Sequence, residues 1–249
     1  MSEHEVALIV GGGPGISASC ARLFSREGMR VVVAARNPDK PVLQALALEH
    51  DVTLMACDAS DPSAVARLFA DVARQFAAPR LVVHNIDGRP AEVFRKTITE
   101  VDPAAVLATL VNATYSAFLV GQQAVRQMLA RDAADGHRGT ILFTNASAAL
   151  KGFARSGAFA AASHGKSGLA QSMARELMPQ GIHVAHIPID AAIGWTQADG
   201  TRAHRLAGTA ENDNMADPDR IAEVYLQLHR QHRSTWAFEV VLRPWTENW

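Results

Sequence analysis

A run of glycines near the N-terminus has the composition of a phosphate-binding loop. It reads Val10-Gly11-Gly12-Gly13-Pro14-Gly15-Ile16-Ser17 and stands between a predicted strand and an amphipathic predicted helix. Glycine lets the backbone turn tightly and approach a pyrophosphate, whose charge then meets the positive end of the helix. Because the run leads into a β-α-β pattern, we interpret it as a dinucleotide-binding loop and not as a structural turn. The residues expected to contact the dinucleotide are Gly11, Gly13, Pro14, Gly15 and Ile16.

The end of the second predicted strand bears on the choice of dinucleotide. Sites specific for NAD usually place a carboxylate there, which accepts a hydrogen bond from the ribose 2′-hydroxyl. In this chain the segment reads Ala34-Ala35-Arg36-Asn37 and contains no acid. The guanidinium of Arg36 can pair with a 2′-phosphate through two hydrogen bonds. The sequence therefore favours NADP (NADPH) as the cofactor over NAD.

A lysine segment and the glycine loop together resemble the short-chain dehydrogenase/reductase family. That family carries Tyr-x-x-x-Lys on a helix, and here Lys166 and the helical pattern of residues 167–177 match it. Its glycine motif is Thr-Gly-x-x-x-Gly-x-Gly, in which Gly11 and Gly15 match while Val10 and Ser17 replace the threonine and the last glycine. The resemblance covers residues 6 to about 242.

The resemblance implies a set of catalytic and cofactor-binding residues. In the family, tyrosine is the general acid/base, lysine lowers its pKa and binds the nicotinamide ribose, serine polarises the substrate carbonyl and asparagine holds a water. Asn112 and Lys166 match the asparagine and the lysine. The serine position stays open: counting from the strand start gives Ala146 or Ser147, and counting back from residue 162 gives Ala149. Ser147 is the one hydroxyl in this set and is taken as the candidate. The further cofactor contacts implied by the family are Asp58, Ala59, Asn85, Lys166, Asp190 and Ile193.

The catalytic tyrosine has no counterpart in this chain. Ala162 occupies its position, and neither Tyr115 nor Tyr225 lies four residues before a lysine. Tyr115 shares a helix face with Asn112, and Asp190 replaces part of the family's Pro-Gly, so both are candidates for a substitute acid. A tyrosine restored at position 162 is expected to lie one helical turn from Lys166 and to restore turnover. The family's reaction is hydride transfer between a nicotinamide and a carbonyl or alcohol. The alternatives are an inactive dinucleotide-binding sensor or scaffold, and a lyase or isomerase that uses the same pocket.

The elements that position these residues alternate between strands and helices. Strands are predicted at residues 6–10, 30–34, 52–56, 81–84, 140–144, 183–189 and 237–242, with helices between them. Short apolar strands without polar alternation indicate a parallel sheet buried on both faces. We predict one Rossmann-like, doubly wound α/β domain over residues 1–249, with seven parallel strands. The long irregular stretch 190–216 is interpreted as a lid over the substrate.

Composition limits the partners. The net charge of −1 and the pI near 6.8 predict no binding to nucleic acid. The N-terminus does not resemble a signal peptide, no run looks long enough to span a bilayer, and a cytoplasmic location is expected. Two cysteines predict buried thiols, and the histidines show no metal-binding pattern. The small substrate is not identified by the sequence. The family resemblance and the apolar tail imply a homodimer or homotetramer.

Overall fold

The fold is built on a six-stranded parallel sheet in the order β3-β2-β1-β4-β5-β6. The computed structural model describes residues 4–196, 200–204, 208–209 and 212–248. The strands of this sheet are β1 (Val6–Val10), β2 (Arg30–Ala35), β3 (Val52–Ala56), β4 (Leu81–His84), β5 (Gly139–Ala146) and β6 (Ile182–Ile189). The helices are α1 (Ile16–Arg26), α2 (Pro41–Glu49), α3 (Pro62–Gln75), α4 (Pro103–Leu110), α5 (Ser116–Leu129), α6 (Gly157–Leu177) and α7 (Pro218–Arg230).

Helices cover the sheet on both faces, which confirms the predicted doubly wound architecture. One apolar core joins the sheet to α1, α2 and α7, and a second joins its other face to α3, α5 and α6. The strand residues of β1, β4 and β6 are buried throughout, because each of these strands has a core on either side.

Three helices begin at an aspartate followed by proline, which is a typical start of a helix. Asp61, Asp102 and Asp217 each accept a hydrogen bond from the backbone N–H two residues later. The carboxylate satisfies one of the unpaired N–H groups of the first turn, and proline at the next position has no N–H to satisfy. These caps fix where α3, α4 and α7 leave the carboxyl-terminal edge of the sheet.

The predicted seventh strand is present as an extended segment beside β6. Glu239 and Leu242 form parallel bridges with His186 and Ile189. Backbone hydrogen bonds run in both directions. His186 N and Asp190 N donate to Phe238 O and Leu242 O, while Val240 N and Leu242 N donate to His186 O and Pro188 O. The pairing is too interrupted for a regular strand. The segment nevertheless runs parallel to β6, in the orientation predicted for a seventh strand.

The predicted irregular stretch contains a small antiparallel sheet. Its short strands are β7 (Trp195–Thr196), β8 (Arg202–His204) and β9 (Gly208–Thr209), in that spatial order. Ile193 also forms a bridge with Ala216, which closes the base of the stretch. The expectation of irregular structure is therefore wrong for these residues, because two-residue strands are too short to leave a periodic pattern. Residues 197–199, 205–207 and 210–211 lie outside the described residues.

One expectation about membranes needs correction. Residues Pro103–Leu129 form one continuous helical stretch that is long and apolar enough, by length and composition, to cross a membrane. In the fold this stretch packs its buried face into the sheet core through Ala117, Val120 and Ala124. A core helix meets the same criteria of length and composition as a spanning helix, which explains the match.

Both cysteines are free and buried, as predicted. Burial raises the pKa of the Cys20 thiol far above its ordinary value and that of Cys57 to about 11. Both therefore remain uncharged thiols at neutral pH, and neither is activated as a nucleophile.

Candidate functional site

A cleft of about 810 Å³ opens at the carboxyl-terminal edge of the sheet. Ligands of open α/β sheets bind at this edge, where the strand order reverses. Here β1 is flanked by β2 on one side and β4 on the other, which makes it the reversal point. The predicted cofactor residues that line the cleft are Gly11, Gly13, Pro14, Gly15, Ile16, Arg36, Asp58, Ala59, Asn85, Lys166 and Ile193.

The glycine loop is tied to both neighbouring strands. Gly11 and Gly12 donate their N–H groups to Ala34 O at 2.9 and 3.1 Å. Gly11 has φ +110°, and a Cβ there would lie 2.2 Å from Asn85 O. Only glycine fits such a position. A Cβ at Gly13, in contrast, would meet no atom within 4 Å, so the loop is open toward the cleft.

Ser17 strengthens the loop where the family motif has a glycine. Its hydroxyl donates to Gly11 O at 2.6 Å and accepts from Asn85 Nδ2 at 2.7 Å. The side chain is buried, so these bonds are shielded from water. The serine thus links the loop to the end of β4. The glycine motif alone gives no indication of this role.

One end of the cleft carries two exposed cations and a fixed carboxylate. Arg36 and Lys40 line it after β2, and Asp58 lines it after β3. Asp58 accepts hydrogen bonds from the N–H and the hydroxyl of Ser60, and these bonds lower the pKa of its carboxyl. Asp58 is therefore both a turn residue and a cleft residue. Lys40 was not predicted, because a lysine before a helix is a common surface residue.

Asn112 lies in a π-helical turn between α4 and α5. The turn spans Val111–Tyr115, and Asn112 Nδ2 donates to Gly88 O at 3.4 Å. π-Turns inside α-helices are frequent at functional sites. Ser116 donates to Asn112 O, so His84 Nε2 must be the donor in its 2.9 Å contact with Ser116 Oγ. Asn112 and Ser116 both line the cleft.

The face of α6 that meets the cleft does not include the position of the missing tyrosine. Phe159, Ser163 and Lys166 line the cleft, whereas Ala162 is fully buried and lies outside the lining. The carbonyl of Ala162 accepts a 2.7 Å hydrogen bond from Thr114 Oγ1. Ala162 is therefore packed against the π-turn.

Neither tyrosine replaces the lost phenol in the cleft. Tyr115 is 42% exposed and stacks on Phe118 with ring centroids 6.3 Å apart. Tyr225 is buried, shares a 2.7 Å hydrogen bond with Thr144 Oγ1, and has its pKa raised by burial. Neither ring lines the cleft.

Two predicted site residues lie just outside the cleft lining. Ser147 begins the 3₁₀ turn Ser147–Ala149. Its neighbours Asn145 and Ala146 line the cleft instead. Asp190 is buried, with Oδ2 3.3 Å from Lys151 Nζ and 3.5 Å from Arg243 Nε. Both residues are next to the site, and the structure does not bring their side chains into it.

A buried hydrogen-bond chain supports Asn145 at the floor of the cleft. Asn145 Nδ2 donates to Ser163 O and to His186 Nε2, each at 2.9 Å. His186 Nδ1 then donates to Glu239 Oε2 at 2.9 Å. Sequence reasoning missed Asn145; the available signal was its position at the carboxyl end of β5, where cleft residues of a parallel sheet collect.

An arginine and an aromatic ring line the cleft after β4. Arg89 donates from Nε and Nη2 to Asp87 at 2.6 and 2.9 Å, and its guanidinium lies 3.7 Å from the centre of the Phe159 ring. Asp87, Arg89 and Phe159 all line the cleft. They come from two segments that are far apart along the chain, so the sequence did not predict that they lie together.

The fold and the cleft are those of a doubly wound α/β protein with a glycine loop at the point where the strand order reverses. The family model described as enoyl-(acyl carrier protein) reductase matches residues 11–237. A crystal structure of a short-chain dehydrogenase from Rhodopseudomonas palustris is 30% identical, covers 97% of this chain and 99% of its own, and has a TM-score of 0.77. The chain belongs to the short-chain dehydrogenase/reductase family, as its sequence predicted.

More distant relatives agree with this placement. A metagenomic short-chain oxidoreductase in complex with NADP shares the fold at 24% identity, with a TM-score of 0.75 over 96% of this chain and 97% of its own. The 3beta-hydroxysteroid dehydrogenase of Mediterraneibacter gnavus is 25% identical over 183 residues, 72% of this chain and 63% of its own length. The matches span 63 to 65% of the length of three such curated relatives.

Proposed function

We propose that this protein is an NADP-dependent oxidoreductase that interconverts a carbonyl and an alcohol, with an atypical acid in place of tyrosine. The observation that carries the proposal is the convergence of the glycine loop, Arg36, Asn112 and Lys166 on one cleft. Its volume of about 810 Å³ falls in the range, roughly 300–1,000 Å³, of sites for small ligands and cofactors.

The residues present fit a dinucleotide. Gly13 and Gly15 leave room for a ligand beside the loop, because neither has a side chain. The loop stands at the N-terminus of α1, and the positive end of the helix favours binding of a pyrophosphate. Asp58 and Ala59 would hold the adenine end, and Asn85, Lys166 and Ile193 the nicotinamide end. When bound, the nicotinamide supplies hydride transfer; the chain supplies orientation and the proton.

Arg36 and Lys40 support a preference for NADP. Both line the cleft at the adenine end, beside the strand end where a carboxylate for NAD is missing. Two cations favour the 2′-phosphate that distinguishes NADP from NAD. The similarity to the metagenomic short-chain oxidoreductase solved in complex with NADP is consistent with this preference.

We expect NADPH to bind more tightly than NADH and to raise the melting temperature more at equal concentration. Arg36→Ala should weaken NADPH binding by about 10- to 100-fold, because a charged hydrogen bond contributes about 1.5–3 kcal/mol. Binding of NADH should change little. Isothermal titration calorimetry with both cofactors measures the difference.

The matched control is Arg74→Ala, since Arg74 is exposed on α3 and away from the cleft. It should leave both affinities unchanged. Equal affinity of the parent protein for NADPH and NADH would contradict the NADP preference.

The missing phenol supports one competing function. A cleft that binds NADPH without any proton donor would make the protein a sensor or scaffold. Loss of NADPH absorbance at 340 nm in the presence of an activated carbonyl, such as 4-nitrobenzaldehyde or phenanthrenequinone, separates the two. Activated carbonyls are the right probes because their reduction depends least on acid catalysis. Binding without turnover on these probes would favour the sensor.

We also propose that the protein is a cytoplasmic homodimer or homotetramer. Phe118 and Leu129 stand eleven residues, about three turns, apart on α5 and are 42 and 39% exposed. Leu107, on α4 of the same helical stretch, is 62% exposed. Tyr115 adds to the same apolar surface. An exposed apolar stripe of this length is typical of a subunit interface.

Phe118→Glu is expected to shift the protein toward monomers, because a carboxylate would be buried without a partner at the interface. Light scattering at micromolar concentration should then report the monomer mass of 26.7 kDa. Leu48→Glu, on the exposed surface of α2, should leave the assembly unchanged. A parent protein of monomer mass would contradict the proposed assembly.

A further inference from the structure

Lys166 is held in the cleft by two backbone carbonyls. Its Nζ donates to Ile86 O at 3.0 Å and to Thr144 O at 3.2 Å, just beyond the end of β4 and near the end of β5. The side chain is 2% exposed and lines the cleft. Within the described part of the chain it forms no ion pair with a carboxylate. The terminal nitrogen therefore has a fixed position with no salt bridge to hold its charge.

The terminal nitrogen of Lys166 is tetrahedral, and its hydrogen bonds leave one of its four positions unused. Cε and the two hydrogens bonded to Ile86 O and Thr144 O occupy three of its four positions. The fourth holds a proton in the ammonium form and a lone pair in the amine form. Among the described residues Nζ forms no third hydrogen bond, and Lys166 lines the cleft, so the fourth position is the one that can meet a ligand.

The surroundings of Lys166 make this proton easy to release. Burial lowers the pKa of its amine to about 8, against the opposing effect of Asp87. The other ionisable groups nearby are His84 on β4 and His186 on β6. Burial lowers the pKa of both imidazoles, and the charge of Lys166 lowers it further. An acid is most effective when its pKa lies near the operating pH.

We infer that Lys166 itself exchanges the proton with the substrate oxygen, in the role that tyrosine has elsewhere in the family. The inference rests on the proposed function. A hydride supplied by the bound cofactor would bond to the carbonyl carbon, and the electron pair of the C=O π bond would move to the oxygen. The oxygen takes the proton from the fourth position of Nζ, which gives an alcohol and a neutral amine. Solvent water returns a proton to the amine; alcohol oxidation follows the reverse order.

The titration of Lys166 can be measured without any turnover. The chain has four lysines, Lys40, Lys96, Lys151 and Lys166, so lysine labelled with ¹³C at Cε gives four signals. The Lys166 signal is assigned by its loss in Lys166→Arg. Its midpoint should lie near pH 8, and the rate of carbonyl reduction by the parent protein should fall above the same pH. A midpoint near the ordinary lysine value of about 10.4 would overturn the inference.

Lys166→Arg separates proton transfer from cofactor binding. Arginine keeps the positive charge and the hydrogen bonds but does not lose its proton. We expect NADPH binding to survive within a few-fold. The rate of reduction of a simple aldehyde or ketone, which depends on acid catalysis more than that of an activated carbonyl, should fall by about 100-fold or more. Lys96→Arg, on an exposed loop, is the control. The pH profile of the parent protein tests the inference even where the arginine variant folds poorly.

The outcomes distinguish this inference from the proposed function. Full turnover by a folded Lys166→Arg would overturn the inference and leave the oxidoreductase standing. NADPH binding without turnover of any activated carbonyl in the parent protein would overturn both. Loss of turnover with NADPH binding retained, together with a midpoint near pH 8, supports both.

Discussion

Gly11→Ala is expected to abolish dinucleotide binding and to lower the free energy of unfolding by about 2–4 kcal/mol. The added Cβ would lie 2.2 Å from Asn85 O and 2.8 Å from the carbonyl carbon of the same residue. The obstacle is backbone that cannot easily move, because Asn85 N donates to Val10 O and Asn85 Nδ2 donates to Ser17. The positive φ adds strain for any residue with a side chain.

The control for this variant is Gly168→Ala. Gly168 lies in α6, where a Cβ would meet no atom within 4 Å. Alanine should therefore stabilise the helix there by up to about 1 kcal/mol. Urea unfolding measures both changes, and fluorescence titration with NADPH measures binding. A Gly11→Ala protein that binds NADPH like the parent would refute the proposed role of the loop.

Ala162→Tyr is expected to destabilise the protein by about 1–3 kcal/mol and to leave the rate of carbonyl reduction no higher than in the parent protein. The sequence suggested the opposite, since position 162 lies one helical turn from Lys166. In the structure Ala162 is fully buried, and the helix packs so closely here that a Cβ at Gly165 would lie 3.1 Å from the Thr114 side chain. A phenol therefore has to displace the π-turn before it can reach the cleft.

Gln171→Tyr is the matched substitution, on an exposed position of the same helix. It should change the free energy of unfolding by less than about 0.5 kcal/mol. A large gain in carbonyl reduction by Ala162→Tyr, without loss of stability, would show that the local packing accommodates the ring.

The sequence could predict the parts of the site that depend on local chemistry. The glycine loop needs particular backbone angles, and the Asp-Pro helix starts need particular caps, so each leaves a pattern in neighbouring residues. Ser147 illustrates the limit: a 3₁₀ turn follows β5, and a shift of one or two residues there decides which side chain faces the cleft. Arg89 and Phe159 meet only through tertiary packing, which no spacing along the chain records.

Hydrogen-bond chains can also exhaust the capacity of a polar group. Both amide hydrogens of Asn145 are used by Ser163 O and His186 Nε2, and its Oδ1 accepts from the N–H of Ala146. The capacity that remains is one lone pair on Oδ1. Toward a ligand, Asn145 is therefore only an acceptor, which complements a hydroxyl and has nothing to offer a carbonyl oxygen. Beside it, the fourth position of Lys166 can donate. The floor of the cleft thus presents two adjacent groups of opposite hydrogen-bonding sense, and a ligand that satisfies both must carry an acceptor and a donor side by side.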